Sequence, residues 1–179
     1  PKVLGNDTPI VAGFPNAPDT DYANKQLRDK ANQALTFVKN SLGKTYLPLI
    51  NGEYVATNVQ INSVNPCNPQ VGLIEVEQAE KAIIAAKQAF PAWKRTPVAK
   101  RAEILRKAAD LMEARRHELS AWICLEVGKI IQQADPEVSE AIDFCRYYAS
   151  EMERLDLGHN FDVAGENNRY SYQPRGIAL

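Results

Sequence analysis

The sequence predicts an α/β chain that is mostly helical, with one β-hairpin in its first third and the beginning of a sheet at its end. Three observations carry this. Apolar residues recur at helical spacing through long stretches between Tyr22 and Met152. A single Asn51-Gly52 turn signal sits among β-branched and aromatic residues. The closing segment "NRYSYQPRGIAL" first alternates and then runs apolar, as strands do.

Residues 1 to 20 are rich in Pro, Asn, Asp and Gly and show no period, which reads as an irregular arm. Leu27, Ala31, Ala34, Leu35, Val38 and Leu42 then follow helical spacing, and Gly43 is a fitting stop. The stretch "TYLPLINGEYVATNVQINSVNP" reads as a hairpin, with Pro48 marking an edge position. A loop at 65–72 leads to a short apolar stretch near Val71. Ala79, Ala82, Ile83, Ala86 and Phe90 share one face of the next helix. Thr96-Pro97 reads as an N-cap and first helical residue for the helix of Ala102, Leu105, Ala109 and Met112. Leu119, Trp122, Ile123, Val127 and Ile130 continue the helical pattern, and Asp135-Pro136 opens the last long helix in the manner of Thr96-Pro97. Each such cap stabilises by about 1 kcal/mol.

That last helix has three stripes. Val138, Ala141, Ile142, Cys145, Tyr148, Ala149 and Met152 form a broad apolar face. Ser139, Asp143, Arg146 and Ser150 form a face expected to meet water, with Asp143 and Arg146 spaced to pair. Glu140, Phe144 and Tyr147 form the third. A charge on a helix is ordinarily solvated, but rings at helical spacing allow the alternative of a partly enclosed Glu140.

Composition narrows the function. A length of 179 residues supports one domain with a real core, and 45% apolar with 24% charged residues is ordinary for a globular protein. With a net charge of −1 and no basic stripe, nucleic-acid binding is not expected. No apolar run approaches the roughly 20 residues that span a bilayer. The start has no secretion-signal pattern and no Met, so the natural N-terminus is expected to be trimmed or to lie upstream. Three widely spaced cysteines, Cys67, Cys124 and Cys145, do not form a disulfide framework and point to a reducing, cytoplasmic setting.

Chemistry-bearing motifs are few. No close Cys/His grouping offers four metal ligands, and neither G-x-G-x-x-G nor a Walker pattern occurs. Glu126-x-Gly128-Lys129 reads as a helix end, with Gly128 as the stop and Lys129 complementing the dipole. Cys124 and Cys145 read as packing residues inside helices, and Cys67 as an incidental loop residue. His117 and His159 stand alone near helix ends. One carboxylate, Glu140, defines no reaction class by itself.

Taken together, "WKRTPVAKRAEILRKAADLM", "LEVGK" and "YQPRGIAL" resemble the aldehyde dehydrogenase superfamily. "SEAIDFCRYYASEM" is similar to its branch that oxidises L-glutamate γ-semialdehyde, the 1-pyrroline-5-carboxylate dehydrogenases. The segment from Phe14 to Glu53 is similar to the one joining the two catalytic parts of bifunctional proline-utilisation enzymes. Between Pro69 and Ala79 this sequence is shorter than the family pattern.

The resemblance implies an aldehyde dehydrogenase-like fold of which this is the N-terminal portion. Its implied parts are an arm and helix (1–43), a β-hairpin (44–66), the helical part of a dinucleotide-binding domain (67–166), an oligomerisation strand (167–175) and the start of the first dinucleotide-binding strand (176–179). It implies an NAD-dependent enzyme of proline catabolism with a small-molecule aldehyde substrate and a homo-oligomeric assembly. The attacking Cys, the water-activating Glu and the oxyanion-stabilising Asn are implied beyond "PRGIAL", so the resemblance assigns no catalytic, cofactor-binding or metal residue here. Glu140 matches a family position beside the aldehyde tunnel, with Phe144 as a second candidate for that wall. The alternatives are a non-enzymatic helical interaction module or another branch of the superfamily.

Overall fold

The computed structural model describes residues 14–56, 60–67, 73–75 and 79–178. Along the chain run α1 (Lys25–Lys39), β1 (Thr45–Tyr46), β2 (Leu49–Ile50), β3 (Glu53–Tyr54), β4 (Gln60–Asn62) and β5 (Leu73–Glu75). Then come α2 (Ala79–Arg95), α3 (Val98–Ala114), α4 (Arg116–Val127), α5 (Ile131–Asp156), β6 (His159–Asn160) and β7 (Arg169–Tyr170). The chain is helical in its majority, with short strands, as its periodicity predicts.

The helices are joined through small residues. α5 lies against α3 and α4, and α1 packs on α4. Ala109 of α3 and Val138 and Ile142 of α5 form the buried cluster, with Ala17 of the arm inserted beside them. Met112, Leu119, Ile123 and Cys145 pack at its margin. Alanine at position 109 leaves room for Val138 and Ile142 of α5 to pack against α3. Two ionic links close the outer seam of α3 and α5. Arg106 reaches Glu153 at 2.5 Å, and Arg146 reaches Asp110 at 2.9 Å and Glu113 at 2.5 Å. These pairs are partly exposed, so each contributes about 1 kcal/mol or less.

The β structure has three parts. β5 pairs in parallel with β1 and antiparallel with β4. β2 and β3 form a hairpin around Asn51 and Gly52, whose φ values of 53° and 82° are both positive. A two-residue turn of the primed type requires that, because only this hand of turn matches the strand twist. β6 and β7 form an antiparallel ribbon.

Several expectations need correction. The hairpin is confined to 49–54; the flanks of the expected 44–66 hairpin belong to the three-stranded sheet instead. Thr96 is not an N-cap. Its N–H bonds to Ala92 and Trp93 and its hydroxyl donates to the Ala92 carbonyl, so it finishes α2, while Pro97 precedes α3 without a side-chain cap. Asp135-Pro136 does not open the last helix, which starts earlier at Ile131. The supposed water-facing stripe of that helix is turned inward: Ser139 is buried and Arg146 pairs with α3 rather than with Asp143. Tyr148, placed on the apolar face, is exposed. The terminal segment 176–178 forms no strand, having no ladder partner among the described residues. The apolar stretch at Val71 lies outside the described residues.

No helix among the described residues is long and apolar enough to cross a membrane.

Candidate functional site

The centre of the chain's polar chemistry is the surface of α5 facing the arm. Asp135 is 1% exposed. Both its oxygens are engaged: Arg116 Nε and Nη2 donate to them at 2.8 Å each, and the Thr20 N–H and hydroxyl donate at 2.8 Å each. Arg116 Nη2 also contacts the Ser139 hydroxyl. Burial alone pushes the Asp135 carboxyl up, but these donors and the guanidinium charge outweigh it and hold the group below the usual carboxylate range. Tyr22 lies beside the pair, and burial together with the Asp135 charge pushes its phenol up to about 12.

Two turns further along α5, Asp143 accepts the Ala17 N–H at 2.8 Å. Beyond it, Phe14 meets Tyr147 edge-on with ring centres 5.6 Å apart. Between arm and helix lies an open concavity of about 580 Å³. Asn16, Ala17 and Asp19 line it from the arm, and Glu137, Glu140 and Phe144 are among its lining residues from α5.

Glu140 and Phe144 are therefore neighbours on one wall of this concavity. Both are exposed, Phe144 by 51%. The enclosure of Glu140 expected from its stripe is not found: Glu140 is exposed, and Tyr147, the third member, meets Phe14 of the arm. The Phe144 ring lies 5.9 Å from that of Tyr148. Glu137 is ion-paired with Lys129, so Lys129 serves α5 rather than the end of α4.

The other singled-out residues lie elsewhere. Gly128 ends α4 in the left-handed region, as its motif predicts, and sits against Cys67, whose Sγ is 3.9 Å from the Gly128 carbonyl. The Cys124 thiol is pushed up by burial, opposite to what an attacking thiolate needs. Cys145 packs at the core margin. His117, in the first turn of α4, is held below its usual value chiefly by burial. His159 belongs to β6, its ring 6.2 Å from Phe161.

Sequence reasoning missed Arg116, Asp135 and Thr20. Read locally, Asp135 before its proline is a cap, and no local pattern ties it to an Arg nineteen positions earlier or to the arm. The only usable signal was the placement of Asp135 and Ser139 one turn apart on the helix carrying Val138 and Ile142.

The arm and helices have known counterparts. Residues 54–179 match the model of the aldehyde dehydrogenase family. The 1-pyrroline-5-carboxylate dehydrogenase of Oceanobacillus iheyensis is 39% identical over 173 residues, 93% of this chain and 34% of that protein. The Bacillus subtilis protein of the same name is 38% identical over 176 residues, 95% of this chain and 34% of that one. Among solved structures, proline utilization A from Bdellovibrio bacteriovorus superposes with a TM-score of 0.84 at 38% identity, covering 91% of this chain and 18% of that one. The 1-pyrroline-5-carboxylate dehydrogenase from Thermus with bound NAD gives 0.83 at 36% identity, covering 92% and 33%. The chain spans about a third of the length of the curated relatives it matches. Over most of its length, and in the helical frame that carries the arm and α5, this chain belongs to the aldehyde dehydrogenase family.

Proposed function

We propose that this chain serves as scaffold and aldehyde-side wall in an NAD-dependent 1-pyrroline-5-carboxylate dehydrogenase, which oxidises L-glutamate γ-semialdehyde to L-glutamate. One observation carries this: relatives of that name match more than nine-tenths of the chain at 38–40% identity. Glu140 and Phe144 stand beside the aldehyde on this reading, on the wall between α5 and the arm. NAD supplies hydride acceptance when bound. No residue of this chain is assigned to the cofactor, and no step is routed through it. The reading further includes a cytoplasmic location and a homo-oligomer formed in part through the ribbon at 167–175.

The assay compares the 179-residue chain with the full-length protein from the same gene. NADH formation from L-glutamate γ-semialdehyde is expected from the full-length protein and not from the chain alone. Turnover by the chain alone, or none by the full-length protein, would overturn the reading. In the full-length protein, Glu140→Ala should lower kcat/KM for the semialdehyde by about tenfold, the scale of one lost substrate contact. Unchanged kinetics would remove Glu140 from the site.

A further inference from the structure

We infer that Asp143 and Asp135 are positioning residues, which strap residues 14–20 along α5 and so fix the arm as the second wall of the Glu140–Phe144 concavity. Its consequence for substrate selection rests on the function proposed above; the strap itself does not.

Three attachments occur in a regular order. Thr20 is held at Asp135, Ala17 at Asp143 and Phe14 at Tyr147. Arm numbers fall as helix numbers rise, so the arm runs antiparallel to α5. The spacing is physically consistent. Eight helical residues advance about 12 Å, and three extended residues reach about 10 Å, the remainder being spanned by the carboxylate side chains. The arm therefore has to be nearly extended between its anchors.

The anchors differ from ordinary surface contacts. Each carboxylate takes a main-chain N–H of the arm, which fixes the arm's register whatever its side chains are. Asp135 is made rigid by Arg116, so its grip on Thr20 does not depend on a mobile side chain. Asp143 is free of the helical pairing its spacing allows, because Arg146 is turned to Asp110 and Glu113. Ala17, the residue anchored by Asp143, is 9% exposed and belongs to the core cluster with Ala109, Val138 and Ile142. The arm is thus seated in the core at one residue and presents its neighbours Asn16 and Asp19 to the concavity. Remove the arm and Glu140 stands on an open helix face. A substrate lying against Glu140 and Phe144 must then meet the arm, which makes arm position a determinant of which aldehydes fit.

Two variants separate the strap from a mere charge. Asp143→Ala removes the acceptor, whereas Asp143→Asn keeps a carbonyl oxygen for the Ala17 N–H. Amide hydrogen exchange on the full-length protein should show Ala17 losing protection by about tenfold in Asp143→Ala, with α3 and α5 unchanged, and near-native protection in Asp143→Asn. In the full-length protein, Asp143→Ala should raise KM for the semialdehyde about fivefold, with kcat held within about twofold and KM for NAD unmoved. Asp143→Asn should restore the semialdehyde KM. Unchanged Ala17 exchange in Asp143→Ala, or equal damage by Ala and Asn, overturns the strap. Loosened exchange with an unmoved semialdehyde KM overturns its role in substrate selection. A full-length protein without semialdehyde oxidation refutes the proposed function, and the exchange result then decides the strap alone.

Discussion

A carboxylate with 1% exposure must have its lone pairs satisfied, and Asp135 has four donors at 2.8 Å. An uncompensated buried charge is more damaging than the pair is stabilising. Asp135→Ala leaves the Arg116 guanidinium, 12% exposed, without its partner. Chemical denaturation should show a loss of about 3–5 kcal/mol, the range for breaking one side of a buried pair. The pH dependence has a definite sign. The folded Asp135 carboxyl lies below its unfolded value, so the folded state binds its proton less readily. Its stabilisation is complete above the unfolded carboxylate value of about 4 and is lost as pH falls through the lower folded value. His117 acts in the same direction at higher pH. Its folded value is lowered, mainly by burial, so protonation below about 6.5 also favours unfolding. Asp135→Asn should flatten the acid limb of a stability-versus-pH curve, and an unchanged limb would exclude Asp135 as its source.

At the scale of elements, the junction between α4 and α5 is fixed by two positions that share one space. Gly128 has φ 81°, and a Cβ there would lie 2.8 Å from Cys67 Sγ. Gly128→Ala therefore meets the left-handed backbone cost of about 1–2 kcal/mol, a steric clash with the thiol and a tight contact with Asn65 Oδ1 at 3.1 Å. The double variant Cys67→Ala with Gly128→Ala should recover only the clash with the thiol, leaving the backbone cost and the Asn65 contact. Thermal or denaturant unfolding of the single and double variants gives that division, and full recovery would mean the backbone cost is absent. The loop carrying Cys67 is held in the same place by the Asn65 side chain, which donates to the Leu125 carbonyl at 2.6 Å and accepts the Cys67 N–H at 2.7 Å. Cys67, incidental in sequence, is thus a packing partner of a helix stop. Both helix stop and hairpin turn were legible because each depends on glycine at positive φ, a local requirement. The start of α5 was not, because its Asp answers to distant donors.

At the scale of the molecule, the buried core is made largely of alanine and valine, while much larger apolar side chains remain outside. Leu157 is 80% exposed, Tyr54 74%, Leu49 61% and Phe161 55%. α2 buries no residue and leaves Ile84 and Trp93 largely exposed. Apolar side chains of this size left in water favour burial, and among the described residues the β6–β7 ribbon pairs with no third strand. The 179-residue chain should self-associate with rising concentration in sedimentation velocity, and more strongly in salts that favour apolar burial. A strictly monomeric chain across that range would contradict this.

By itself, the sequence determined the helical majority, the hairpin turn at Asn51-Gly52, the stop at Gly128 and the family. Each of these rests on local spacing, on glycine's access to positive φ, or on motifs that survive in a linear reading. The apolar face of α5 at Val138, Ile142 and Ala149 is buried as its spacing predicts, and only the tertiary structure decided that the polar stripe beside it also turns inward. A stripe of Ser, Asp and Arg reads as solvated until the Arg116 guanidinium of α4 meets Ser139, the Ala17 N–H of the arm meets Asp143 and the carboxylates of α3 meet Arg146. Hydrogen-bond satisfaction across more than a hundred residues leaves no periodic trace, so the arm's place beside Glu140 appears only when the chain is folded.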